Sequence, residues 1–257
     1  MINAAKIAGL MPPGIKGLGY RFVFRKRKIL EPGPFIKTVS GKCGLEIGGP
    51  SVFFQFSLPL YHHASSIDGV NFSQETMWEG SIASGKPFQY MKNHAGRQII
   101  AEAVDLAVIE DVSYDFILSC HSLEHVANPL KALLEWNRVL KPGGTLILVV
   151  PNKESIFDHR RPFTTFAHLV SDFDLNTGES DLTHLPEILE LHDLKRDRAA
   201  GTHTEFRERS MKNFENRGLH HHVFDLQTLT EAVNFAHFEI QHSGSSYYDH
   251  FVLCTKA

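Results

Sequence analysis

The stretch that decides the fold runs Tyr114-Asp115-Phe116-Ile117-Leu118-Ser119-Cys120-His121-Ser122-Leu123-Glu124-His125-Val126. It resumes as Arg138-Val139-Leu140-Lys141-Pro142-Gly143-Gly144-Thr145-Leu146-Ile147-Leu148-Val149-Val150-Pro151. Phe116–Ser119 reads as a short apolar strand behind the acidic turn Glu110–Asp111. From Pro129 to Leu140 the spacing predicts a helix, with Leu130, Leu133, Leu134 and Val139 on one side and Trp136 flanking them. Lys141 to Gly144 stops that helix, because proline cannot continue it and glycine supplies the turn conformations. Thr145–Val150 is uncharged and rich in branched side chains, so it predicts a strand buried on both faces. Strand, helix and buried strand in succession are the signature of a parallel sheet with crossover helices.

The same rhythm extends outward. Cys43–Ile47 predicts a first strand ended by Gly48 and Gly49, Ser65–Asp68 a second, and Gln98–Ala101 a third. Downstream, Leu226–Phe235 reads as a helix, and Phe238–His242 and Phe251–Thr255 as a closing hairpin with an antiparallel last strand. The expected fold is α/β: a Rossmann-like, seven-stranded, mostly parallel sheet plus a helical insertion. Residues 1–40 read as an extended N-terminal arm, 41–152 and 223–257 as the sheet domain, and 153–222 as a polar, largely helical insertion over the sheet's carboxyl edge.

Composition narrows the classes. A chain of 257 residues with 42% hydrophobic and 21% charged content is ordinary for a globular protein. A net charge of −3 disfavours a general nucleic-acid binder. The basic, aromatic stretch Lys16–Lys28 reads best as a solvated face beside an N-terminal strand. No window approaches the roughly 18 apolar residues of a membrane span. The first 14 residues lack the charged-then-apolar pattern of a signal peptide. Three cysteines, odd in number and without a C-x-x-C pair, fit reduced thiols in the cytoplasm.

In an open α/β sheet, ligands bind beyond the carboxyl ends of the strands. After the first predicted strand stand Glu46, Gly48, Gly49, Pro50 and Ser51, a carboxylate with glycines that let the backbone approach a ligand. Asp68 follows 22 residues after Glu46, a spacing that suits a carboxylate gripping a ribose diol. Glu102-Ala103 follows the third strand, where a polar group can meet a base edge. His121, after the fourth strand, has a reference pKa near neutrality and is the first candidate general base, with His222 second.

The run of aromatic-Asp, apolar strand, Leu-Glu-His and Arg-Val-Leu-Lys-Pro-Gly-Gly resembles class I S-adenosylmethionine-dependent methyltransferases of the type 11 kind, over roughly residues 42–152 and more loosely over 223–257. With Val70–Ser73, Phe157–Pro162 and His220–Asp225, the whole chain also looks like a bacterial group of that superfamily with no established substrate. The resemblance implies S-adenosylmethionine as cofactor. It places Glu46, Gly48 and Gly49 under the methionine part and Asp68, Gly69 and Val70 at ribose and adenine. Glu102 and Ala103 fall near the adenine amine, and Ser119, Cys120 and His121 near the sulfonium. One departure is that Pro50 and Val52 occupy later glycine positions of the family's loop.

Eight of the 16 histidines fall between Pro151 and Val223. Asp181, His184, Glu187, His192 and Asp193 cluster there, but no H-E-x-x-H pattern is present, and adjacent histidines of an extended His220-His221-His222 run point to opposite faces. The sequence therefore assigns no metal. It assigns His159, Arg160, Arg161 and His220 to acceptor binding, arginine being suited to an anionic group. The expected activity is methyl transfer to an oxygen or nitrogen of a small-molecule or sugar/glycan-type acceptor. The alternatives are an inactive methyltransferase-fold binding module and, more remotely, a nicotinamide-dependent oxidoreductase, against which Gly48-Gly49-Pro50-Ser51 fails the G-x-G-x-x-G pattern.

Overall fold

The computed structural model describes residues 31–76, 80–82, 87–197 and 199–257. The basic stretch at 16–28 and most of the N-terminal arm lie outside the described residues. The described end of that arm is a helix, α1 (Gly33–Val39), where an extended chain was expected. Pro32 and Pro34 favour a helical start, and Phe35 and Val39 lie four residues apart on one buried face.

The first half of the sheet departs from the expected strand–helix alternation. Between β1 (Cys43–Ile47) and β2 (Ser66–Asn71) the chain makes only two short turns, a π turn at Phe53–Ser57 and a 3-10 turn at Leu60–His62. Between β2 and β7 (Gln98–Ile100) it makes two hairpins, β3 (Glu75–Thr76) with β4 (Gly80–Ser81) and β5 (Phe88–Met91) with β6 (His94–Gly96). Aromatic bulk replaces the missing helices: Phe53, Phe54, Tyr61, Phe88 and Tyr90 pack on this face of the sheet with α1.

The second half follows the sequence reading closely. β8 (Tyr114–Cys120) leads to α2 (Pro129–Val139) and then to β9 (Leu140–Pro151). Asn128 caps α2 by accepting from Lys131 N at 3.1 Å, with Pro129 at the first helical position. Trp136, read as flanking the apolar side, is fully buried at its centre and donates to Ala103 O at 3.0 Å. Leu140 pairs with Tyr114 and Thr145 with Phe116, so Lys141–Gly144 bulges out inside β9 rather than preceding it. The insertion carries α3 (Phe166–Asp174), α4 (Leu185–Leu191), α5 (His203–Met211) and the single turn α6 (Asn213–Asn216). α7 (Leu226–Phe235), β10 (Phe238–Ser245) and β11 (Asp249–Lys256) close the chain.

The seven-stranded sheet has the order β10-β11-β9-β8-β1-β2-β7, with β11 antiparallel to both neighbours and the other pairs parallel. Strand residues alternate between two cores, as a period of two requires. Ile117, Leu146, Leu148 and Val150 face α2 and α7, whereas Phe116, Leu118, Ile147 and Val149 face the aromatic layer. Burial on both faces is why the 145–150 run carries no charge. Among the described residues, no helix is long and apolar enough to cross a membrane.

Candidate functional site

The strand order reverses between β1 and β8, which opens a crevice above their carboxyl ends. Gly48 leaves β1 with φ of 74°, and a Cβ there would stand 2.2 Å from Ser122 Oγ. Gly49, followed by the cis Pro50, lies against Glu46; a Cβ would stand 2.2 Å from its carboxyl carbon. Glu46 is wholly buried. It accepts from Tyr61 Oη at 2.7 and 2.9 Å and from Ser51 N at 3.0 Å, so it draws the loop back onto itself. Burial and the Glu46 charge push the Tyr61 phenol well above its ordinary pKa, which keeps it a donor. Ser51 Oγ in turn accepts from Phe53 N and Phe54 N and starts the turn that follows.

The second strand corrects an expectation. β2 runs to Asn71, and Asp68 sits mid-strand opposite Leu45. Its carboxylate is occupied by Arg97 Nε at 2.9 Å, Arg97 N at 2.7 Å and Tyr114 Oη at 2.8 Å. The polar side chain at the strand's end is Asn71, which donates to Gly49 O at 3.1 Å. Gly69 admits the Phe88 ring and Val70 is core, so neither lines the crevice. Glu102 does reach the edge, where Arg217 of the insertion meets it at 2.6 Å. Arg217, in a left-handed conformation with φ of 49°, also covers the Phe72 ring at 5.1 Å and approaches Glu179 at 3.7 Å. Ala103 contributes its carbonyl to Trp136.

At the end of β8, Ser119 is fully buried and Cys120 half-buried, while His121 just beyond it turns back with φ of 54°. Its N–H donates to Val149 O at 2.9 Å, and its Nε2 lies 2.8 Å from Asp249 Oδ1 at the start of β11. Asp249 was not foreseen, because 128 residues separate the pair.

Behind this edge lies a buried polar cluster. Glu124 Oε1 stands 3.9 Å from His125 Nε2 and 4.0 Å from His220 Nε2. Burial, with the nearby Asp158 charge, pushes Glu124 up to about 8. His220 Nδ1 pairs with Asp158 Oδ2 at 2.5 Å. Burial alone would raise Asp158, but His220 and Arg161 outweigh it and hold the carboxyl at about 2. Glu124, Lys153, Asp158, His220 and His222 line a narrow crevice here with Ile156 and Phe224.

Arg161, expected to meet an acceptor anion, is 1% exposed. It donates to Asp158 Oδ1, Glu187 Oε1, His220 O and His221 O at 2.8–3.2 Å, so it staples the insertion instead. His159 and Arg160 converge on Asp193 at 3.0 and 3.3 Å. The three consecutive histidines go three ways: His220 to Asp158, His221 to Asn213 at 3.0 Å, and His222 to Ala127 O at 3.2 Å, beside His184. His222 is therefore drawn into the insertion rather than paired with His121. Cys43, Cys120 and Cys254 form no disulfide among the described residues.

Comparison with known proteins agrees with this architecture. The methyltransferase-domain family model matches residues 45–148. An uncharacterised protein of Methanocaldococcus jannaschii is 47% identical over 60 residues, 23% of this chain and 26% of that one. An uncharacterised 37.1 kDa protein in a Streptomyces fradiae transposon is 26% identical over 117 residues, 45% of this chain and 32% of that one. The chain thus spans about a third or less of the length of these curated relatives. A solved S-adenosylmethionine-dependent methyltransferase of Aquifex aeolicus has the same fold, with a TM-score of 0.50 at 14% identity over 100% of both chains. Residues 45–148 thus match a methyltransferase domain, within a fold shared with S-adenosylmethionine-dependent methyltransferases.

Proposed function

We propose that the protein works in the cytoplasm and transfers a methyl group from S-adenosylmethionine to an oxygen or nitrogen of a polar small-molecule or sugar/glycan-type acceptor. The observation that carries the reading is the His121–Asp249 pair at the crevice where the strand order reverses. The close-approach glycines Gly48 and Gly49 and the edge residues Asn71 and Glu102 fit the cofactor's methionine and nucleoside parts, with Asn71 taking the ribose place first given to Asp68. When bound, the cofactor supplies an electrophilic methyl group on its sulfonium.

The chain's own residues then do the rest. Asp249 accepts from His121 Nε2–H, which leaves Nδ1 to take the acceptor's proton. Behind the pair, the buried Glu124, Asp158 and His220 brace the site from within. Residues 153–222 act as the lid, with Arg217 latched on Glu102 beside Phe72. Three cysteines without a disulfide among the described residues suit a reducing compartment.

Isothermal titration tests the cofactor, and no binding of S-adenosylmethionine or S-adenosylhomocysteine at millimolar concentration sinks the reading. Turnover of polar acceptors, followed by product mass, tests the reaction. One observation favours an inactive binding module: the N–H groups of Ser51, Phe53 and Phe54 are bonded within the loop. Methylated product excludes that reading.

A further inference from the structure

We propose that His168, Asp172, His184 and His222 form a structural divalent-cation site of the zinc type, which clamps the insertion to the methyltransferase core. One donor atom from each of the four lies within 4.8 Å of all the others. His168 and Asp172 stand four residues apart on one face of α3, His184 precedes α4, and His222 comes just before α7. His168 Nε2 is 3.1 Å from His184 Nε2 and 3.2 Å from Asp172 Oδ2. A tetrahedral ion with donors at about 2.0–2.2 Å sets those donors roughly 3.3–3.6 Å apart, so the cluster needs little adjustment.

Unmet bonding points the same way. His222 Nδ1 and Asp172 Oδ2 are buried without a hydrogen-bond partner among the described residues, and the His222 side chain is 0% exposed. Buried polar atoms are rarely left so without a ligand. The surroundings also orient the donors. Thr177 Oγ1 donates to Asp172 Oδ1 at 3.2 Å, leaving Oδ2 toward the histidines, and His222 Nε2–H donates to Ala127 O at 3.2 Å, which leaves Nδ1 for the ion. Three imidazoles and one carboxylate suit Zn²⁺ rather than Mg²⁺ or Ca²⁺, which prefer oxygen. Four protein ligands describe a closed structural site, and His168, 40% exposed, provides the route in.

The test uses the full chain and Zn²⁺ alone, and it is independent of methyl transfer. Protein dialysed against a chelator, reloaded with ZnCl₂ and gel-filtered is expected to retain one equivalent by elemental analysis. It is also expected to melt several degrees higher than the stripped protein. Asp172→Asn and His184→Ala are expected to weaken retention about tenfold or more. Glu124→Gln, in the neighbouring Glu124–His125–His220 cluster, is expected to retain the ion. Wild-type Co²⁺ protein is expected to show the intense visible absorption of a tetrahedral site, a readout that does not depend on variants folding. Failure of the wild type to retain Zn²⁺, weak octahedral Co²⁺ absorption, or loss of the ion in Glu124→Gln but not in Asp172→Asn overturns the proposal.

Discussion

His121 and Asp249 meet at 2.8 Å although one directly follows β8 and the other begins β11 on the far side of β9. The backbone of His121 adopts φ of 54°, a region a non-glycine residue enters only when its surroundings hold it there. The Val149 carbonyl and the Asp249 carboxylate supply that hold, one on the main chain and one on the ring.

Asp249→Asn is therefore expected to lower turnover by about 10²- to 10⁴-fold by releasing the imidazole tautomer, while cofactor affinity changes little. His121→Ala is expected to behave alike. Steady-state kinetics beside titration with S-adenosylhomocysteine check both; unchanged turnover in either removes the pair from the mechanism.

Gly49→Ala places a methyl group 2.2 Å from the Glu46 carboxyl carbon, and the buried carboxylate can yield only by giving up its bonds from Tyr61 and Ser51. The expected cost is about 1–3 kcal/mol of stability, of the size seen for overpacking, together with weakened cofactor binding. Calorimetry and cofactor titration check it.

Arg161→Ala leaves the buried Asp158 and the Glu187 carboxylate without their guanidinium. Removing one partner of a buried ion pair typically costs about 3–5 kcal/mol, so the variant is expected to unfold markedly earlier than wild type. A variant that keeps its melting temperature and only raises the KM for the acceptor would return Arg161 to substrate binding.

Glu179, largely buried beside Arg217, has its carboxyl pushed up to about 7, with burial outweighing the arginine. An acid whose folded pKa lies above its unfolded value of about 4.3 makes the folded state the tighter proton binder. Its contribution to stability is thus lost as pH rises from about 4.3 to 7 and is flat above that. Wild-type stability minus that of Glu179→Gln is expected to fall across this window in denaturant titrations, and a pH-independent difference refutes the assignment.

Much of the fold was legible because one physical rule governs each stretch. β9 could be read because both its faces are buried, and α2 because Asn128, Pro129 and an apolar stripe coincide. Arg138 of the Arg-Val-Leu-Lys-Pro-Gly-Gly run turns out to tie Leu106 O, Ile109 O, Asp111 and Glu135 together, so that motif is scaffold rather than chemistry. The aromatic layer between β1 and β7 was not legible, because Phe53, Phe54, Tyr61, Phe88 and Tyr90 follow no single helical or strand period. Asp68 misled for a related reason: its spacing from Glu46 suits a ribose ligand, but the strand continues three residues farther, to Asn71.

By itself, then, the sequence determined the strands of the main sheet, the helices α2 and α7 and the loops that could bear chemistry, because burial and turn formation are local demands written into residue type and period. Partnerships between side chains far apart in the chain were decided by tertiary structure alone. Asp249 reaches His121 across 128 residues, Arg217 reaches Glu102 across 115, and His222 leaves its neighbours to join His168, Asp172 and His184. Each of these depends on which strand edge and which insertion face are brought together, and no periodicity in the chain records that.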